Sequence, residues 1–236
     1  MHHDFKSFLF AALILQNFAI STSINATLDF DIIGEGFHRT FEYKVSVDGL
    51  ENQQDCAVAL HILLPSAIYV NVDEVADLQR VGKTLTCSVG ERNVELFAEM
   101  AEPQNVTICN LPKTWETVLS LPIHQRYQFS QEYGGYIAID IPHPKLLLGC
   151  KERLKHYRVS KIDLCSPCVD LALKWREIPF KMEHTKPVWL IPVGNTSYLN
   201  YVSYVTLLVT SLGAAAVLQT MLRLGSVSGG PRTKQN

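Results

Sequence analysis

The 236-residue sequence predicts a mainly β protein: an antiparallel β-sandwich-like domain followed by one C-terminal transmembrane helix. Three observations carry this. Apolar side chains recur with period two along most of the chain, the mark of half-buried strands. Ten prolines scattered between 65 and 192 forbid long helices there. Tyr198–Leu222, finally, is 25 residues without one Asp, Glu, Lys or Arg, ~37 Å of helix against a ~30 Å hydrocarbon core.

Taken in order, residues 1–23 read as a secretory signal peptide. Phe8–Leu15 is an eight-residue apolar run preceded by Lys6, and the small Ala19, Ser21 and Ser23 follow two apart. An uncleaved anchor is the alternative, but eight helical residues reach only ~12 Å. The 174 residues 24–197 then hold 17 basic and 22 acidic side chains, the composition of a folded domain, and they carry no long linker or repeat. Their net charge of −5 excludes nucleic acid as a partner, because an acidic domain repels phosphates.

Strands are expected wherever the alternation is clean. Leu28-Phe30-Ile32 comes first, then Phe41-Tyr43-Val45-Val47, which ends at the turn signal Asp48-Gly49. Val58-Leu60-Ile62, Ile123-Gln125-Tyr127-Phe129, Ile137-Ile139-Ile141 and Val169-Leu171-Leu173-Trp175 follow. Only Asp73–Arg80, with Val75 and Leu78, has the spacing of a short helix. In the span, Tyr198, Tyr201 and Tyr204 sit at the N-terminal end, where amphipathic rings favour the headgroup layer, and Arg223, Arg232 and Lys234 follow it. A single-pass type I layout results, with 24–197 lumenal and 223–236 cytosolic. A buried core helix would not run so long uncharged, and a GPI-attachment signal would not continue into a cationic tail.

All six cysteines (Cys56, Cys87, Cys109, Cys150, Cys165, Cys168) fall in the translocated part and are disulfide candidates, with fifteen pairings open. Asn25, Asn105 and Asn195 begin N-glycosylation sequons on the same side, and the membrane three residues away disfavours the last.

Catalytic chemistry finds little support. Asp29-Phe30-Asp31 has the Asp-x-Asp form of metal-dependent glycosyltransferases, yet both carboxylates share the outward strand face, opposite Leu28 and Phe30. Cys165-Ser-Pro-Cys168 has redox or half-zinc spacing without a second half. His38, His124, His143, His156 and His184 are scattered, so no catalytic set, metal site or cofactor is expected. The five basic residues of Lys151–Lys161 read as a solvated patch. In the span, Ser211, Gly213 and Ala215 let a neighbouring helix approach closely, and Gln219 seeks a partner in low dielectric.

Five phrases together resemble the PIG-X family, the accessory subunit of glycosylphosphatidylinositol (GPI) mannosyltransferase I. They are Gly36-Phe37-His38-Arg39, Leu64-Pro65-Ser66-Ala67-Ile68-Tyr69-Val70 and Leu121-Pro122-Ile123-His124-Gln125-Arg126-Tyr127, then Pro144-Lys145-Leu146-Leu147-Leu148-Gly149-Cys150 and Ile191-Pro192-Val193-Gly194. Their order and their position before a single span make the combination specific. Gln125 and Gln128 stand where the family phrase has Cys and a second His, which favours a structural over a metal or redox task; Asn71 and Val72 also depart from it. The resemblance implies a non-catalytic protein of the endoplasmic-reticulum membrane that binds and stabilises PIG-M, a polytopic enzyme adding the first mannose of the GPI precursor. Arg232-x-Lys234 looks like a dibasic retrieval signal. A cell-surface receptor or adhesion ectodomain shares the type I layout, and a lumenal enzyme using Asp29 and Asp31 is the third reading.

Overall fold

The computed structural model describes residues 24–50, 55–112, 114–182 and 188–228, with side chains through 224. The expected signal peptide, 1–23, lies outside the described residues, as do 229–236 of the expected tail. Two five-stranded sheets make up most of the fold. The first runs β11 (Lys181–Met182), β1 (Asn25–Ile33), β2 (His38–Asp48), β7 (Glu116–Gln125), β4 (Ile68–Tyr69), with strands labelled in chain order. The second runs β10 (Arg176–Glu177), β9 (Lys145–Cys150), β3 (Cys56–Leu64), β6 (Gln104–Asn110), β5 (Leu85–Gly90). Every pairing is antiparallel except the short β1–β11 contact at the edge.

The alternation read from sequence is the inward face of the first sheet. Leu28 and Phe30 of β1, Phe41, Tyr43, Val45 and Val47 of β2, and Leu119, Leu121 and Ile123 of β7 are all buried. Pro122 is tolerated inside β7 because Gln125 N–H donates to Phe37 O on the β2 side. By alternation the N–H that Pro122 lacks would point to the other edge, where β4 pairs only with His124 and Gln125.

The second sheet is covered on both faces. Leu60, Ile62, Ile108, Leu146 and Leu148 fill one side, and the other holds Ala57, Ala59, Cys109 and Leu147 beneath a strap that brings in Cys168 and Trp175. Small residues make room for that strap. A Cβ on Gly149, which pairs with Ala57, would lie 2.3 Å from Ala172 Cβ and 3.1 Å from the Trp175 ring. Cys87–Cys165 and Cys109–Cys168 staple the strap to β5 and β6, while Cys56–Cys150 joins β3 to β9.

Two expected strands take other forms. Cys168–Leu171 is one 3-10 turn and Leu173 is fully exposed, because the bridges at 165 and 168 fix the chain against the sheet from above. The Ile123–Phe129 run stops at Gln125, leaving Tyr127 and Phe129 exposed, since Arg126 turns away to a neighbouring loop. The expected helix at Asp73–Arg80 forms as α1 (Val72–Arg80), capped by Asn71, whose Oδ1 accepts from Asp73 N–H at 3.0 Å. Asn71→Ala is expected to cost about 1 kcal/mol in a denaturant titration; no change would mean that α1 is held by packing alone.

Residues 24–197 were expected as one domain, and the chain clusters instead into two compact units. One takes the residues through 126 with 140–188; the other takes 127–139 with the chain from 189 on. The second unit holds the ribbon of β8 (Gly135–Asp140) with β12 (Val188–Val193) and the apolar helix α2 (Leu199–Ser228). Thr196–Leu224 is long and apolar enough to cross a membrane.

Candidate functional site

Register brings three of the sequence phrases to one place. His38 opens β2 and pairs directly with His124 of β7, which in turn pairs with Tyr69 of β4. Cross-strand neighbours on one face meet, so the rings form a ladder. The His38 and His124 rings are 4.4 Å apart and 6° from parallel, and Tyr69 stacks on His124 at 5.2 Å. The Arg126 guanidinium closes the ladder 4.4 Å above the Tyr69 ring.

Each flanking phrase positions one rung. Gly36 takes φ +71° in the turn ahead of His38, a conformation glycine adopts without penalty. Pro65 O accepts from Ile68 N–H in the turn before Tyr69. Arg126 is 2% exposed; its backbone N–H donates to Ala67 O at 2.8 Å, and Nη1 donates to Asn93 O at 2.6 Å and Leu96 O at 3.3 Å. Burial pushes its guanidinium down from the ordinary arginine range, with Tyr69 and Glu91 opposing the shift. Beside the ladder, Gln104 fixes Val70 through both backbone groups: Oε1 accepts from its N–H at 2.8 Å and Nε2 donates to its carbonyl at 3.3 Å.

Glu74 is the member that sequence reasoning missed. Its Oε1 lies 3.2 Å from His38 Nε2 and its Oε2 lies 2.7 Å from His124 Nε2. An ionised carboxylate only accepts, so both imidazoles donate Nε2–H to it. Asn71 and the acidic first turn of α1 were the available signal, since a cap with Asp73 and Glu74 behind it announces a helix start.

The three ligand-type atoms of His38, Glu74 and His124 lie within 4.8 Å of one another, close enough to consider a divalent metal. The ring geometry argues otherwise. Stacked, near-parallel imidazoles direct their in-plane lone pairs along separate planes, whereas a shared ion needs them to converge. The carboxylate, with one oxygen per ring, matches two N–H donors instead. This cluster does the work of a clamp, tying α1 to β2 and β7.

The remaining candidates lie apart from it. Asp29 and Asp31 point away from the core, and their Oδ1 atoms accept from the next backbone N–H, at 2.9 and 2.8 Å. All six cysteines are paired and none titrates, so Cys165-Ser-Pro-Cys168 serves as two anchors to different strands. Asn25 opens β1 and Asn105 is an exposed residue of β6; Asn195 caps the 3-10 turn before α2, its Oδ1 accepting from Ser197 N–H.

Asn105 also hydrogen-bonds His61, whose ring meets Thr107 Oγ1 at 3.1 Å. Burial, with the Lys145 ammonium, holds that imidazole below the ordinary histidine range. The fold therefore keeps His61 neutral, and its contribution is present above pH 6.5 and lost as pH falls below it. Thermal unfolding at pH 7.5 and 5.5 should show a drop that His61→Gln reduces; an equal drop in the variant would put the pH sensitivity elsewhere.

On α2, Ser211, Ala215 and Gln219 recur every fourth residue and share a face, whereas Gly213 lies about 200° round the helix from Ser211. All four are exposed.

The sequence compares with known proteins along nearly this whole frame. A family model described as PIG-X / PBN1 matches residues 34–222, from the turn ahead of His38 to the end of the apolar span. The GPI alpha-1,4-mannosyltransferase I, stabilizing subunit, of Rattus norvegicus is 25% identical over 218 residues, covering 84% of this chain and 82% of that one. With the ladder, the strap and the apolar helix all inside the matched span, the chain belongs to the PIG-X / PBN1 family.

Proposed function

We propose that this chain is a non-catalytic stabilising subunit of GPI mannosyltransferase I in the endoplasmic-reticulum membrane, with its β domain lumenal and PIG-M as the catalytic partner it holds. The observation that carries the reading is the family match over 34–222 together with a relative named as a stabilizing subunit. The site supports it. His38, Glu74, His124, Tyr69 and Arg126 spend their polar and aromatic groups on one another and on the backbone, which builds a rigid scaffold and leaves no nucleophile with a base beside it. The Ser211–Ala215–Gln219 face of α2 offers close approach and a polar contact to a partner's helices.

Depleting the protein should lower PIG-M abundance and surface GPI-anchored proteins together; if both hold steady, the proposal is wrong. Its glycans should stay sensitive to endoglycosidase H, as expected of an endoplasmic-reticulum resident. Gln219→Leu is expected to weaken co-purification with PIG-M by about threefold, following an interhelical hydrogen bond of about 0.6 kcal/mol. Ala215→Leu should weaken it further by blocking close approach. Undiminished recovery of both variants would confine binding to the lumenal part.

A further inference from the structure

The second unit has a composition unlike the rest of the chain. Residues 127–139 carry one charged side chain, Glu132, and the 34 residues 189–222 carry none. These two stretches nevertheless hold six of the nine tyrosines: Tyr127, Tyr133, Tyr136, Tyr198, Tyr201 and Tyr204. Tyr133 is 83% and Tyr136 71% exposed, a large amphipathic surface to leave in water.

The backbone pins this turn to the root of the helix. Gln131 N–H donates to Gly194 O at 2.8 Å, and Gln131 O accepts from Thr196 N–H at 2.9 Å. Gly134 packs so closely on Asn195 that a Cβ would fall 2.9 Å from the Asn195 Cβ, and one on Gly194 would fall 3.2 Å from Ser130 Cβ. Thr196 opens the apolar stretch that ends at Leu224. If Arg223 marks the far interface, Tyr198–Leu222 exceeds the hydrocarbon core by ~7 Å, which places its first residues among the headgroups. Gln131 is bonded at that height, and Tyr133 and Tyr136 follow within five residues.

We propose that the 130–136 turn is a second membrane contact, with Tyr133 and Tyr136 seated in the headgroup layer of a zwitterionic bilayer beside α2. Aromatic rings with a polar end are favoured at that depth. The lone acidic Glu132 and the lack of any Lys or Arg in the turn make a zwitterionic surface the match rather than an anionic one. The helix root and its adjoining turn then grip the bilayer as one body. This inference rests on α2 crossing the membrane, as the proposed function does.

Full-length Tyr133→Trp, Tyr136→Trp, Leu212→Trp and Leu173→Trp variants, each reconstituted alone into phosphatidylcholine vesicles, test it through the emission added over the parent protein. Tyr133→Trp and Tyr136→Trp should be quenched at least twofold by phosphatidylcholine brominated near the head of the acyl chain. Leu212→Trp should be quenched by mid-chain bromine, and Leu173→Trp, exposed on the strap, by aqueous iodide only. Added emission at 133 and 136 that responds to iodide and not to bromolipid, with Leu212→Trp quenched as expected, overturns the second contact while sparing the span. Loss of quenching at 212 as well overturns both.

Discussion

Replacing the Cys109–Cys168 bridge by Cys109→Ala/Cys168→Ala should lower the unfolding free energy by about 4 kcal/mol, the loop entropy released by a 59-residue separation. The strap that this bridge holds has little hydrogen-bonded structure of its own: one 3-10 turn, and a link from Ser160 N–H to Trp175 O. Its grip is Trp175 over Ala57, Ala59 and Gly149, plus the neighbouring Cys87–Cys165 bridge. Losing one staple frees the strap to lift, and the small side chains beneath it leave no compensating contact. Denaturant titration of the full chain reads the stability, and trypsin cleavage at the exposed Lys161 and Lys174 reads the lifting. A loss under about 1 kcal/mol with unchanged cleavage would mean that Trp175 packing alone secures the strap.

Arg126→Met is the second large effect, expected at about 3 kcal/mol. Two charge-assisted hydrogen bonds to Asn93 O and Leu96 O disappear, and charged bonds of this kind contribute about 1.5–3 kcal/mol. The stack on Tyr69 goes with them. Arg126→Lys tests whether charge or shape matters. A lysine keeps the charge but cannot lie flat on the ring while reaching two carbonyls, so it should recover less than half of the loss. Full recovery by lysine would assign the effect to charge alone. Hydrogen exchange at Leu96 and Ala98 should rise in Arg126→Met, because the loop loses its tether.

How much of this was legible in the sequence depends on what lies above each strand. β1 and β2 read cleanly because only one of their faces is buried, so period two survives in the letters. β3 hides part of its pattern: Ala57 and Ala59 are as buried as Val58 and Leu60, since the strap covers what would have been the solvent side. The same strap produced a false strand. Val169, Leu171, Leu173 and Trp175 alternate in sequence, yet only Trp175 turns inward, and two disulfides set the path. Family phrases pointed to His38, Tyr69, His124 and Arg126 but not to their meeting, which needs the β2–β7–β4 register. Glu74 was silent because its partners lie 36 and 50 residues away. The three bridges were open for a related reason: fifteen pairings are equivalent until strand order is known.

The bridging pattern also sets a clock on biosynthesis. Cys87 and Cys109 wait for partners 78 and 59 residues downstream, and Cys168 precedes the start of α2 by only 31 residues. At about 5–20 residues per second, a nascent Cys109 stays a bare thiol for about 3–12 s. The β domain therefore cannot lock until the ribosome is close to delivering the hydrophobic segment, so covalent closure and arrival at the bilayer become nearly the same moment.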